Sequence, residues 1–496
     1  MSAVFSGFLD VRGEGLASID GEAAVLLPAG ESVVVEGESA GRRVVQISLG
    51  DRVAGTYAPV GRFSWKFRSG PEQRLKIRVL QRRPSLFDQL SGQVVAAVRD
   101  PSVRIATIKV DGQPVVDFSQ PVRSYLGSSG AMGINVIGFF KHAFGIGESA
   151  RCMARACGVA GVDAAFVEAR IGTDSLPLET EFDGVLQAVA SHAVNVFHLD
   201  PPQMGFVDEC HGAELMRGRR NIGYWAWELP EFPDVWLRYF ERLDEVWVPS
   251  SFVRDAIAPR SPVPVCVMPH AIRVGDAVAD RMRWSFGENE VVFLCLFDLN
   301  SSRVRKNPDG AVAAFIDAFP KGDDVRLVLK VHGGERHLAD LEALQTMAAR
   351  HPGITLIDVA LARHELSSLM QSSDVFVSLH RAEGFGIALA EAMGMGKPVI
   401  ATGWSGNLDF MNATNSCLVG ADVVEIQKTS GPYQAGQHWA EPRIDEAADW
   451  MKRLAADAEL RTGIGRQARA SVMEQLAPGR IGRLYAERLR TFLLWP

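Results

Sequence analysis

Up to about residue 130 the apolar positions come in short alternating or β-branched runs: ESVVVEG, RRVVQISLG, FSWKF, LKIRVL, GQVVAAV, RIATIKV and PVVDF. Gly, Pro and Asp separate them at short intervals, and Asp111-Gly112 between the last two is a hairpin signal. This pattern predicts an all-β domain over 1–125, a sandwich or small barrel. A Ser/Gly-rich linker, PVRSYLGSSGAM, follows. The pattern then changes. INVIGF, VNVFHL, IGYWAW, EVWVPS, VPVCVM, VVFLCLF, VRLVLKVH, ITLIDV, DVFVSL and KPVIAT are nearly continuous apolar runs separated by helical stretches. Strands buried on both faces read this way, so the expectation is an α/β chain with parallel sheets. It divides into a first α/β domain at 126–273 and a second at 274–472. The tail, 473–496, ends in the helical phrase GRIGRLYAERLRTFLLWP.

The totals narrow the picture further. A chain of 496 residues suggests about three domains. With 47% hydrophobic and 22% charged residues it reads as an ordinary soluble globular protein. A net charge of −7 removes whole-protein attraction to nucleic acid. Arg82-Arg83 and Arg217/Arg219/Arg220 are local basic clusters, either solvated arginines or a contact for anionic lipid. The six cysteines are scattered with no C-x-x-C, which fits a reducing compartment and no zinc site. The start, MSAVFSGFLDVRGEG, lacks a basic lead and a long apolar core, and no run is long enough to cross a bilayer. The expectation is a cytoplasmic protein, with peripheral membrane contact left open.

The candidate chemistry centres on Asp374–Asp409, DVFVSLHRAEGFGIALAEAMGMGKPVIATGWSGNLD. It reads strand, loop, helix, strand, loop. Glu383 is followed by Gly384-Phe385-Gly386, and seven residues separate Glu383 from Glu391. Backbone N–H groups of such a loop face a ligand at a helix N-terminus, where phosphate or sugar oxygens are favoured. Glu391 falls roughly 7 Å farther along the helix axis. Two carboxylates so spaced suit the two ends of an elongated ligand.

Other segments add to this. AFGIGESARCMARACGVAG places Gly145 and Gly147 at the first strand–helix crossover, with Glu148 or Ser149 able to cap the helix. A strand ends at His198 and Asp200, and another at Glu228 after Trp225 and Trp227. Those tryptophans and Trp236 suit either sugar stacking or core packing. Glu228 suits either a site or a helix cap. Tyr57, Phe63 and Trp65 in the front domain are either sugar platforms or core. The loop SSRVRKNPDG offers Arg303, Arg305 and Lys306, fixed cations suited to a leaving diphosphate. No Asp-x-Asp metal motif ends a strand, and no His/Cys cluster has ligand spacing.

The run E-G-F-G-x4-E followed by G-K-P-V-I-A-T resembles the donor-site signature of retaining glycosyltransferases with the GT-B fold, family four. G-I-G-E-S-A-R, the Trp-rich phrase around Glu228 and GPYQAGQHWAEPRIDEAADWMKRL resemble a bacterial polysaccharide-assembly branch of it. The resemblance spans about residues 133 to 490. It implies two Rossmann-like domains facing a cleft, with the last helix crossing back to the first. It implies a metal-independent hexosyltransferase with no cofactor, moving sugar from a nucleotide diphosphate donor to a free or lipid-linked glycan.

GDP-mannose is the first donor that branch suggests. Glu383 and the amides of Gly384, Phe385 and Gly386 would hold the sugar, and Glu391 the ribose. Lys306 and Arg305 would take the diphosphate, with Gly145 and Gly147 closing from the other lobe. His380 and Arg381 would touch sugar or diphosphate, and Leu361 would help wall the base. His198 joins the catalytic set, with Glu228 and Asp200 on the acceptor side. An epimerase or phosphorylase on the same fold, and a glycan-binding protein with an inactive transferase body, stay open. So does a homo-oligomer formed through the β domain.

Overall fold

The computed structural model describes residues 133–493 except 174–176, 276 and 323, with side chains through 490, and the backbone of eight strands between Val4 and Val110. Those eight pair antiparallel in a single sheet. The Asp111-Gly112 hairpin and the side chains of Tyr57, Phe63, Trp65, Arg82 and Arg83 lie outside the described residues, as does the packing that would decide between sandwich and barrel.

Residues 133–267 build a six-stranded parallel sheet. Its spatial order is Asp163–Glu168, Gly133–Gly138, Val194–Phe197, Arg220–Tyr224, Glu245–Val248, Val265–Val267. Every residue of Gly133–Gly138 is buried, which is why its sequence does not alternate. The helix Gly145–Ala160 leaves this strand and ends on Gly161 in the left-handed conformation (φ 67°), a common glycine helix stop.

A second six-stranded parallel sheet follows. Its order is Ile354–Asp358, Val325–His332, Val291–Asp298, Val375–Ser378, Val399–Thr402, Cys417–Val419. Numbered along the chain this is 3-2-1-4-5-6, the Rossmann order, whose direction reverses between Val291–Asp298 and Val375–Ser378. Loops at the carboxyl ends of those two strands diverge there and leave a crevice. An antiparallel hairpin, Ala421–Glu425 with His438–Pro442, extends from this lobe.

The final helix, Pro478–Leu493, returns to the first lobe. Gly482 sits so close to the Gly145–Ala160 helix that an added Cβ would lie 2.2 Å from the Ala156 carbonyl. Arg488 makes a two-pronged contact (2.8 and 2.7 Å) with Glu245, a fully buried carboxylate also reached by Trp247 Nε1. Tyr485 donates to the Pro269 carbonyl (3.0 Å). Among the described residues no helix is long and apolar enough to cross a membrane. All six cysteines are free.

Candidate functional site

At the switch point of the second sheet two loops are pinned together. Asn307, at positive φ (51°), accepts from Gly310 N–H (3.1 Å) and donates to the Leu379 carbonyl (2.9 Å). The one-turn helix Arg303–Lys306 thereby lies against the His380–Gly386 loop. Arg305 is buried and donates to the Ala382 carbonyl (2.8 Å), while its own carbonyl accepts from Arg381 N–H (2.8 Å). Both cations converge on Glu383. Lys306 Nζ donates to its Oε1, and Arg305 Nη1 stands 3.5 Å from the same oxygen. Burial by itself would raise this carboxyl, but Lys306, Arg305 and His380 outweigh it and hold the pKa at about 2. Arg303 faces elsewhere, paired with Asp309 and Asp340.

The Gly-Phe-Gly loop is built for close approach. Gly386 has φ 94°, a conformation that strains any residue with a Cβ. Gly406 N–H donates to the Glu383 carbonyl (2.9 Å), and a Cβ on Gly406 would fall 2.0 Å from the Gly384 carbonyl. Ser405 Oγ accepts from Glu383 N–H (3.0 Å). Ser250 of the first lobe donates to the Gly384 carbonyl (2.6 Å), and Phe385 meets His270 edge-on at 4.9 Å. Among the described residues the N–H groups of Gly384, Phe385 and Gly386 have no backbone acceptor. They stand at the start of the Ile387–Gly394 helix, where a bound anion or hydroxyl can satisfy them.

Glu391, on that helix, is buried and hydrogen-bonded to Arg363. The same guanidinium reaches Glu148 of the first lobe, 3.9 Å away. Neither Glu148 nor Ser149 caps the Gly145–Ala160 helix, contrary to the sequence expectation. Glu148 is engaged by Arg151 (2.9 Å) and Arg155 (2.7 Å). Burial opposes its charge, but Arg363, Arg155 and Arg151 hold it far below the ordinary carboxylate range. Ser149 Oγ instead meets His198 Nδ1 (2.7 Å). Gly147 is compelled by space, because a Cβ there would lie 2.5 Å from the His142 carbonyl; Gly145 has no such neighbour.

The structure brings Glu383, Lys306, Arg305 and Glu228 together, and places Glu391 at the other end of the short helix. Glu228 is not a helix cap, since the following helical turn Asp234–Arg242 begins after Pro233. Its Oε1 lies 3.9 Å from Arg305 and its Oε2 accepts from Tyr433 (3.2 Å). Asp200 is raised to about 7 by burial and by Glu228. His198 is fully buried, stacked on Tyr224 (4.4 Å) with Nε2 3.2 Å from the Met153 sulfur; burial first, and His270 second, push its pKa well down. His380 is fully buried between Ser378 (3.1 Å) and Asn407 (3.3 Å).

Arg381 turns away from Glu383, forking onto Glu441 at 2.6 and 2.8 Å. Leu361 packs on the apolar cluster that contains Leu389 and Ala390. Trp225 and Trp227 are 0% and 1% exposed and belong to the core, which settles their two readings against stacking. Of the basic cluster, Arg219 is spent on the carbonyls of Ala190, His192, Glu214 and Leu215. Sequence reasoning gave no role to Tyr433, Ser250 or Ser405, and reached Arg363 only as the end of the loop, about Val359 to Arg363, that the resemblance sets against the nucleotide base. Tyr433 does lie inside the phrase GPYQAGQHW, a segment already singled out.

Two parallel α/β lobes facing one another, with a glycine loop and paired carboxylates between, define a GT-B architecture. Within it, residues 299–429 match the family model Glycosyl transferases group 1. Solved structures of the same fold include HepE of Anabaena in complex with UDP and glucose. It is 14% identical, with TM-score 0.54, over 73% of this chain and all of that one. Sucrose-phosphate synthase of Thermosynechococcus elongatus is also 14% identical, with TM-score 0.51, over 73% of this chain and 99% of that one. Among curated proteins none matches the chain in sequence.

Proposed function

We propose that this protein is a glycosyltransferase that moves a hexose from a nucleotide diphosphate sugar to a hydroxyl of a glycan in surface polysaccharide or glycoconjugate assembly, with retention of anomeric configuration. The observation that carries the reading is Glu383 held by Lys306 and Arg305 beside the unpaired amides of Gly384–Gly386. Two buried or half-buried cations beside one carboxylate leave net positive charge suited to an anion. A sugar diphosphate supplies that anion together with hydroxyls for the carboxylate.

In this reading the bond from the anomeric carbon to the diphosphate oxygen breaks, and a bond to the acceptor oxygen forms on the same face. The acceptor proton passes to the departing diphosphate. Arg305 and Lys306 stabilise the charge that develops there, and Glu383 and the loop amides hold the sugar. Glu391 takes the ribose hydroxyls once Arg363 releases it. The lobes close to exclude water, since hydrolysis of the donor is the competing reaction. The site needs no metal or cofactor in this scheme. Asp200 and Glu228 face the acceptor, and the protein works in the cytoplasm, against the inner face of a membrane where the acceptor is lipid-linked.

GDP-mannose is the first donor to try, on the sequence resemblance. UDP-glucose is the second, because HepE, which shares the fold, is held with UDP and glucose. Thermal-shift titration against a panel of UDP-, GDP-, dTDP- and ADP-sugars tests the reading. Stabilisation by one nucleotide series, with release of its diphosphate on adding acceptor, is the expected result. No response to any member would favour a glycan-binding role. Interconversion of the sugar with no acceptor present would favour an epimerase.

A further inference from the structure

The tip of the Ala421–Glu425/His438–Pro442 hairpin crosses from the second lobe onto the first. Gln437 Nε2 donates to the Glu231 carbonyl (3.1 Å), and His438 Nδ1 lies 3.4 Å from the Glu231 carboxylate. Tyr433 is at the centre of this crossing and is 4% exposed. A tight turn holds it, with Ser430 and Tyr433 exchanging backbone hydrogen bonds of 2.9 and 3.1 Å. Its ring packs against Trp227 of the first lobe (5.8 Å), and the Arg305 guanidinium of the second lies over it at 5.8 Å. Its hydroxyl donates to Glu228 Oε2 (3.2 Å), whose other oxygen is 3.9 Å from Arg305. Burial keeps the phenol protonated, so it donates at any working pH.

Tyr433 touches both Glu228 and Arg305, and Arg305 reaches on to Glu383. Arg305 stands between two carboxylates, one from each lobe. If Glu228 closed onto it, the guanidinium would be neutralised where the diphosphate needs it. The Tyr433 hydroxyl gives Glu228 a competing partner at Oε2, with Oε1 standing 3.9 Å from Arg305.

We propose that Tyr433 is a positioning residue that holds Glu228 off Arg305, so that the guanidinium is free for the donor diphosphate only when the hairpin tip is seated on the first lobe. The inference rests on the transferase reading above. It goes beyond it in giving the hairpin a role in turnover and in linking donor activation to lobe contact.

Tyr433→Phe removes the hydroxyl and keeps the ring between Trp227 and Arg305. The experiment uses the full chain and measures nucleoside diphosphate release from GDP-mannose and UDP-glucose, with water as acceptor. For the donor that wild type turns over, Tyr433→Phe should lower kcat about tenfold. Donor KM should stay within about twofold, because Glu391 and the loop amides are untouched, and the melting temperature should be unchanged. The double variant with Glu228→Gln should match Glu228→Gln alone, because an uncharged partner cannot neutralise Arg305.

Equal kcat for wild type and Tyr433→Phe would overturn the proposal, as would independent, multiplicative losses in the double variant. A Tyr433→Phe protein that loses kcat only in step with its melting temperature would make Tyr433 a packing residue and overturn it too. Wild type that releases diphosphate from neither donor while binding no nucleotide would instead overturn the transferase reading.

Discussion

Arg363 of the second lobe stands 3.9 Å from Glu148 of the first while hydrogen-bonded to Glu391 of its own lobe. One guanidinium thus serves two buried carboxylates that come from opposite sides of the cleft. Glu391, which ribose hydroxyls would occupy in the transferase reading, is engaged by Arg363. In that reading, nucleotide binding would exchange an ion pair for hydroxyl donors.

Removing that cation leaves Glu391 with no guanidinium and weakens the closure of the lobes. Arg363→Gln should cost about 1–3 kcal/mol, less than a wholly buried pair because Arg363 is one-third exposed. Arg283→Gln, which breaks an exposed pair with Glu365, should leave stability unchanged. Urea denaturation midpoints of the two variants decide this. Equal midpoints would show that the Arg363 bridge adds nothing.

Lys306 and Glu391 should fail in different kinetic parameters. In the transferase reading Lys306→Ala removes a cation that stabilises the departing diphosphate, and it should lower kcat about 10²–10³-fold. Glu391→Ala removes ground-state binding and should chiefly raise donor KM. Steady-state kinetics with varied donor separates them, and two variants with wild-type constants would mean the site is elsewhere.

The pairing of Glu383 has a signature in acid. Its pKa is depressed in the folded chain, to about 2 from the ordinary 4.5. The folded state therefore binds fewer protons than the unfolded state between those values. The resulting stability is fully present above about 4.5 and is lost as pH falls toward about 2. Glu383→Gln should flatten this part of the stability–pH curve, leaving a smaller difference between pH 5 and pH 3 than wild type shows. Denaturant titrations at a series of pH values give the slopes.

Gly406 has no room for a side chain. Its N–H supports the Glu383 carbonyl, and an added methyl would strike the Gly384 carbonyl. Gly406→Ala must displace the Glu383 loop, so nucleotide-induced stabilisation should vanish. Gly145→Ala, which meets nothing, should retain it. Thermal shift with and without nucleotide sugar compares them.

Much of the architecture could be read from the chain because its signals are local. Continuous apolar runs such as INVIGF and VVFLCLF declare strands buried on both faces, and the glycine loops declare crossovers. Glu383 and Lys306 were legible for the same reason, each standing at a strand–loop–helix junction with a recognisable phrase around it. The tryptophans were not. Trp227 beside Glu228 reads equally as platform or core, and only its packing against Trp236 and Phe232 decides. Arg381 stands two residues before Glu383 yet points to Glu441, because the chain bends at Arg381 rather than continuing as a strand.

The sequence by itself determined the elements, their parallel pairing and the residues able to carry charge to a ligand, since these follow from periodicity and from chemistry within a few positions. Only the tertiary structure decided who meets whom. Asn135, Asn195 and Asn221 form a buried side-chain ladder because three strands lie in register. Arg363 meets Glu148, and Tyr433 meets Glu228 across 205 residues of chain, because two lobes and a hairpin tip converge. Such contacts depend on chain closure over long separations, which leaves no short-range pattern for the sequence to display.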